Sequence, residues 1–161
     1  MTTPRWLVAA HVAAFAGVLG ADFALLTLGV RGLAGGDAAT VYPAMHVIAA
    51  WLLRPFAALA LLTGIAAAMR GRRLREAWVV LKLAVTVALT ALVVFVAEPG
   101  LAEAAASAVG DAETVTGRTR TTYGVVPLAT AVLLLGNVML GVYRPRRSVR
   151  GTAMDPRGAE V

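Results

Sequence analysis

The sequence predicts an all-α, polytopic membrane protein, an up-down bundle of four transmembrane helices. Apolar residues make up 59% of the 161 residues and charged ones only 15%, with a mean hydropathy of +0.76. A soluble domain averages about 45–50% apolar and about 25% charged. The excess gathers in four runs, each near the roughly 20 residues that cross a bilayer's hydrocarbon core. Polar residues interrupt these runs singly, so none shows the continuous polar face of a soluble amphipathic helix.

Residues 1–5 are a short polar start. The first span is expected over about 6–28, with His11 and Asp22 inside it. Its apolar run exceeds the 7–15 residues of a signal-peptide core, which argues that it is retained. The glycine-rich stretch GVRGLAGGDAAT turns the chain into a second span, about 42–68. A basic connection, MRGRRLRE, leads to a third span over about 77–97, and Glu98-Pro99-Gly100 reads as its stop. An extracytoplasmic loop over 98–124 follows, in which LAEAAASAV has the residues of a short surface helix ended by Gly110 and DAETVTGRTRTTYG reads as polar loop. The fourth span is expected over about 125–143. The tail, 144–161, is basic, rich in Pro and Gly, and expected to be disordered.

Orientation follows from the arginines. Arg5, Arg70, Arg72, Arg73, Arg75, Arg144, Arg146, Arg147, Arg150 and Arg157 fall on one side; Arg31, Arg118 and Arg120 fall on the other, with five acids. The positive-inside rule places both termini in the cytoplasm of a cell-membrane protein. Trp6, Tyr42, Trp78, Tyr123 and Tyr143 sit at span ends, where interfacial aromatic anchors are expected. The net charge of +6 is therefore read as topogenic, with anionic lipid headgroups as partners of the 70–75 loop and the 144–150 tail. Nucleic acid is not an expected partner, because no aromatic residues interleave with the arginines to stack bases. There is no cysteine, which removes disulfides and thiolate chemistry.

Small residues recur at every fourth position in span one (Ala9, Ala13, Gly17, Ala21, beside Ala16, Gly20, Ala24) and in span two (Ala60, Gly64, Ala68). In lipid such rows let helix backbones approach, so they mark packing faces, within one chain or in a homo-oligomer.

The buried polar residues are the candidate functional set: Asp22, Arg54, His46, His11, Lys82 and Asn137. Charges inside a bilayer cost about 2.5–3.5 kcal/mol each on insertion scales and usually find partners. Asp22 and Arg54 differ in depth by about 5 Å at a 1.5 Å rise per residue, which predicts an ion pair between them with His46 above it. Pro55 removes a donor one turn after Trp51, freeing a carbonyl there. His11, Lys82 and Asn137 form a second layer nearer the cytoplasm. Lys82, Thr86 and Thr90 make a polar stripe on span three, matched on span four by Thr130 and Asn137. For Lys82 snorkelling competes with any functional role, and His11 is more readily a hydrogen-bonded packing histidine than a ligand.

Enzymatic chemistry is not expected. The spans contain no paired aspartates, no serine and no HExxH, and the chain lacks a phosphate-binding glycine loop. His11 and His46 lie in opposite leaflets, some 20 Å apart in depth by the helical rise, too far to share one haem iron. Met45 and Met139 offer only weak partners for them, and no metal or cofactor site is predicted.

In LVAAHVAAFAGVLGADF, LLRPFAALALLTGIAAA and WVVLKLAV the chain resembles the small four-helix integral membrane proteins common in high-GC actinobacteria. It is distantly similar to the membrane domain of copper-resistance D proteins, which share an early histidine, an Arg-bearing helix ending in Thr-Gly, and a W-x-x-x-K opening. The likeness covers about three of the four spans. It implies haem or copper handling, although this chain carries a poorer histidine set. The residues themselves favour a non-enzymatic structural or accessory bundle whose buried charges set helix register. The alternative is a small transporter or proton-coupled permeation unit using Asp22, Arg54, His46 and Lys82.

Overall fold

The structure, a computed structural model, describes residues 4–70, 77–110 and 115–142. It is all-helical among these residues. Helix α1 is Arg5–Leu33. Helix α2 runs through Ala38–Ile48, a π-helical turn at Ala49–Leu53, and Arg54–Arg70. Helix α3 runs in the same way through Ala77–Leu92, a π turn at Val93–Ala97, and Glu98–Gly110. Helix α4 is Gly117–Val142. All four are long and apolar enough to cross a membrane.

The glycine-rich turn between α1 and α2 is built from its own residues. Gly35 adopts φ +84°, and the amides of Gly36 and Gly35 return to the carbonyls of Arg31 (2.9 Å) and Gly32 (3.3 Å). This is the Schellman closure that a left-handed glycine makes possible. Asp37 then caps α2, its carboxylate accepting from the Ala39 amide and the Thr40 hydroxyl. Arg120 of α4 donates to the carbonyls of Gly32 (2.8 Å) and Gly36 (3.2 Å), placing a cation at the negative end of the α1 dipole.

The boundaries differ from the sequence expectation mainly on the 98–124 stretch. Glu98-Pro99-Gly100 does not stop α3, which continues to Gly110, and α4 begins at Gly117 rather than near 125. The connection 71–76, part of the 98–124 loop (111–114) and the tail from 143 lie outside the described residues.

Helix α1 is the hub: it packs on α2 along its length and on α4, while α3 packs chiefly on α2. Its buried stripe is Ala14, Val18, Ala21, Asp22 and Leu25. Ala9, Ala13, Ala16 and Gly20 of the small-residue rows are exposed, so those rows are only partly packing faces. Gly17 does fill that role, since a Cβ there would meet the Phe56 ring at 2.7 Å. Gly29 likewise lies directly against the Tyr123–Gly124 backbone, where α1 crosses α4. The tightest core lies where the start of α2 (Ala38, Val41, Tyr42, Met45) meets the end of α3 (Leu101, Ala104, Ala105, Ala108). Tyr42 is fully buried there, edge-on to Tyr123 with ring centroids 6.1 Å apart, so it is a core residue and not an interfacial anchor. Large apolar side chains elsewhere face outward, among them Trp51 (76% exposed) and Phe95 (77%).

Candidate functional site

Two prolines shape the site. Each follows a charged residue, Arg54–Pro55 in α2 and Glu98–Pro99 in α3. A proline inside a helix lacks the amide for its i−4 bond, and its ring clashes with that carbonyl. Both helices resolve this the same way, by widening into a π turn just before the charged residue. The Arg54 amide reaches back to the Ala49 carbonyl, and the Glu98 amide to that of Val93.

The two widened turns lie close enough for their charges to meet. Arg54 Nη2 is 2.5 Å from Glu98 Oε1, and His46 Nε2 is 3.4 Å from the same oxygen. Glu98 is the inner member of this cluster, its side chain only 15% exposed against 44% for Arg54. The predicted Asp22–Arg54 pair is therefore not formed: Arg54 is taken by Glu98. The physical reason is the π turn. An extra residue per turn rotates whatever follows by about 100°, which a depth argument cannot see. His46 does join Arg54, as expected, but through Glu98.

Asp22 instead faces α4. The Thr130 hydroxyl donates to its Oδ1 at 2.6 Å. Its Oδ2 is fully buried and has no hydrogen-bond partner among the described residues, and the residue is 3% exposed. The residue Asp22 belongs to the lining of a cavity of about 80 Å³ shared by all four helices. Phe15, Val18, Leu53, Leu89, Val93 and Leu134 give it an apolar lining, with Thr86, Thr90, Thr130, Tyr123 and Glu98 as the other polar contributors. Among the described residues no Lys, Arg or His lines it.

The remaining predicted residues are placed away from that carboxylate. His11 Nδ1 lies 3.0 Å from the Ala60 carbonyl and 3.1 Å from the Thr63 hydroxyl, with its ring against Gly64. It locks α1 to α2, as a packing histidine does. Asn137 Nδ2 donates to Thr86 Oγ1 at 3.1 Å, joining the two expected polar stripes of α3 and α4. Its Oδ1 is the other buried side-chain oxygen without a partner among the described residues. The Thr86 hydroxyl in turn donates to the Lys82 carbonyl, 2.9 Å away, and the Lys82 side chain is part-buried. His11 and His46 thus serve separate contacts on different helices. Among the described residues no three His, Asp or Glu side chains gather as a metal site.

Glu98 is the site residue that sequence reasoning missed, because a Glu-Pro-Gly run looks like a helix stop. The signal was present in a repeated pattern: an apolar pentad, a charge, then proline, as AAWLL-RP and VVFVA-EP. Compared with known proteins, the chain matches no family model, no curated protein and no solved structure.

Proposed function

We propose that this chain is a non-enzymatic, multi-pass protein of the cell membrane, its helices crossing up-down with both termini in the cytoplasm. We propose further that it works as a small permeation unit in which Asp22 takes up a proton or another monovalent cation inside the bundle. Membrane crossing is supported by four apolar helices whose large side chains face outward, and orientation by the arginine distribution.

One observation carries the permeation reading: a buried carboxylate with one oxygen unpaired among the described residues, on a residue that lines a cavity. Leaving such an oxygen unsatisfied costs about 1–3 kcal/mol, more if it is charged. Helix register does not require that cost. The Arg54–Glu98 pair already fixes α2 against α3, and Asp22 needs only one oxygen for Thr130. The structural reading therefore attaches to Arg54, Glu98 and His46, and the permeation reading to Asp22.

The test is proton and monovalent-cation flux into proteoliposomes under an imposed gradient. The expected result is flux that disappears in Asp22→Asn while the Arg54–Glu98 pair stays intact. Absence of flux for every cation tried, or flux indifferent to Asp22→Asn, refutes it.

A further inference from the structure

We infer that the cavity beside Asp22 is a binding site for a small organic ammonium ion, a primary amine head on a short apolar body. This deepens the permeation reading and rests on it for the role of Asp22. Charge comes first. Two carboxylates line the cavity, but Glu98 is neutralised by Arg54 from outside the lining, so one uncompensated acceptor remains. That balance selects a monovalent cation and rejects anions, since among the described residues no basic one lines the space.

The walls decide what kind of cation. A bare metal ion needs a shell of oxygens to replace its water. Here Leu, Val, Ala, Met and Phe side chains make most of the surface. An alkylammonium fits both features: it has N–H groups to donate to the Asp22 carboxylate and an alkyl body to match the apolar wall. Phe15 and Tyr123 also line the space, aromatic residues of the kind that attract a cationic head. At about 80 Å³ the space takes a small body of a few carbons and not a long chain.

Access follows from packing. Helices α3 and α4 touch least of the neighbouring pairs, and both contribute lining residues, including Thr90, Val93, Pro127 and Thr130. The proposed way in is the seam between them, suited to an amine that partitions into lipid.

The experiment is calorimetric titration of the full-length protein in nanodiscs with butylammonium, against butyrate and butanol as anionic and neutral controls. The expected result is saturable binding of butylammonium alone. It should weaken about tenfold or more in Asp22→Asn, which loses the charge-assisted contact, and in Val93→Phe, which fills the cavity with Asp22 intact. The second variant keeps the test decisive should the first fail to fold. No saturable binding, equal binding of butanol, or binding unchanged in both variants overturns the inference. Proton flux that depends on Asp22 and is untouched by butylammonium overturns this ligand class while leaving the permeation reading standing.

Discussion

Two polar centres lie in the same bundle and are treated in opposite ways. At the paired π turns, Glu98 is met by Arg54 and His46, and the cluster is half-exposed, so each charge keeps some contact with its surroundings. At Asp22 a single hydroxyl is supplied, one oxygen is left over, and the residue is 3% exposed. A satisfied pair is what helix registration needs. An unsatisfied buried oxygen at a cavity is what a ligand needs. The difference is the basis for proposing structure for one centre and binding for the other, and each proposal can be broken by substitution.

The largest effect is expected where α1 crosses α4, the two helices that carry Asp22 and Thr130. Gly29→Leu should abolish the folded bundle, because a side chain there strikes the Tyr123–Gly124 backbone, which cannot yield as a flexible side chain would. Loss of a monodisperse elution peak in mild detergent would show it; a native-like profile would mean that α1 and α4 do not cross there.

Next comes the satisfied centre. Arg54→Met leaves Glu98 mostly buried with only His46 beside it, and should lower unfolding stability by about 1–3 kcal/mol, between exposed and buried pairs. The double variant Arg54→Met/Glu98→Gln should recover most of that loss, and the double-mutant cycle measures the coupling. Independent, additive losses would argue against a working pair.

Asn137→Leu removes the hydrogen bond to Thr86 together with an unsatisfied oxygen, so its cost should be small, about 0.5–1.5 kcal/mol or less. Smallest is the cap. The Thr40 hydroxyl, with the Ala39 amide and the Arg120 cation, holds the Asp37 carboxyl below the usual carboxylate range. A lowered pKa contributes stability above the unfolded value of about 3.9, lost as pH falls through the folded one. Asp37→Asn should therefore be slightly less stable at neutral pH, with the gap closing below about pH 4 in a thermal-melt series.

The four helices were legible because long apolar runs are an unambiguous signal. Length along each helix was legible too: the Thr86–Asn137 contact joins stripes that spacing alone had paired. Direction around the helix was not. Asp22 and Arg54 lie within about 5 Å of each other in depth, yet a π turn just before Arg54 turns it away, and its one trace in the sequence is the pentad–charge–proline pattern repeated at Glu98. Pro99 and Gly100 misled for a related reason. The proline is absorbed by the π turn before it, and the glycine serves close approach, since a Cβ there would meet the Tyr123 hydroxyl at 2.5 Å. In a water-exposed chain the same pair ends helices; inside this bundle it allows one to continue.

The most direct test of the contrast is the unfolding stability of Asp22→Leu measured beside Arg54→Met in the same detergent. Removing a buried, half-satisfied carboxylate should leave the bundle as stable or more so, by up to about 1–3 kcal/mol, while Arg54→Met loses stability. If Asp22→Leu is destabilised as much as Arg54→Met, Asp22 is a structural residue and the cavity has no claim on a cation.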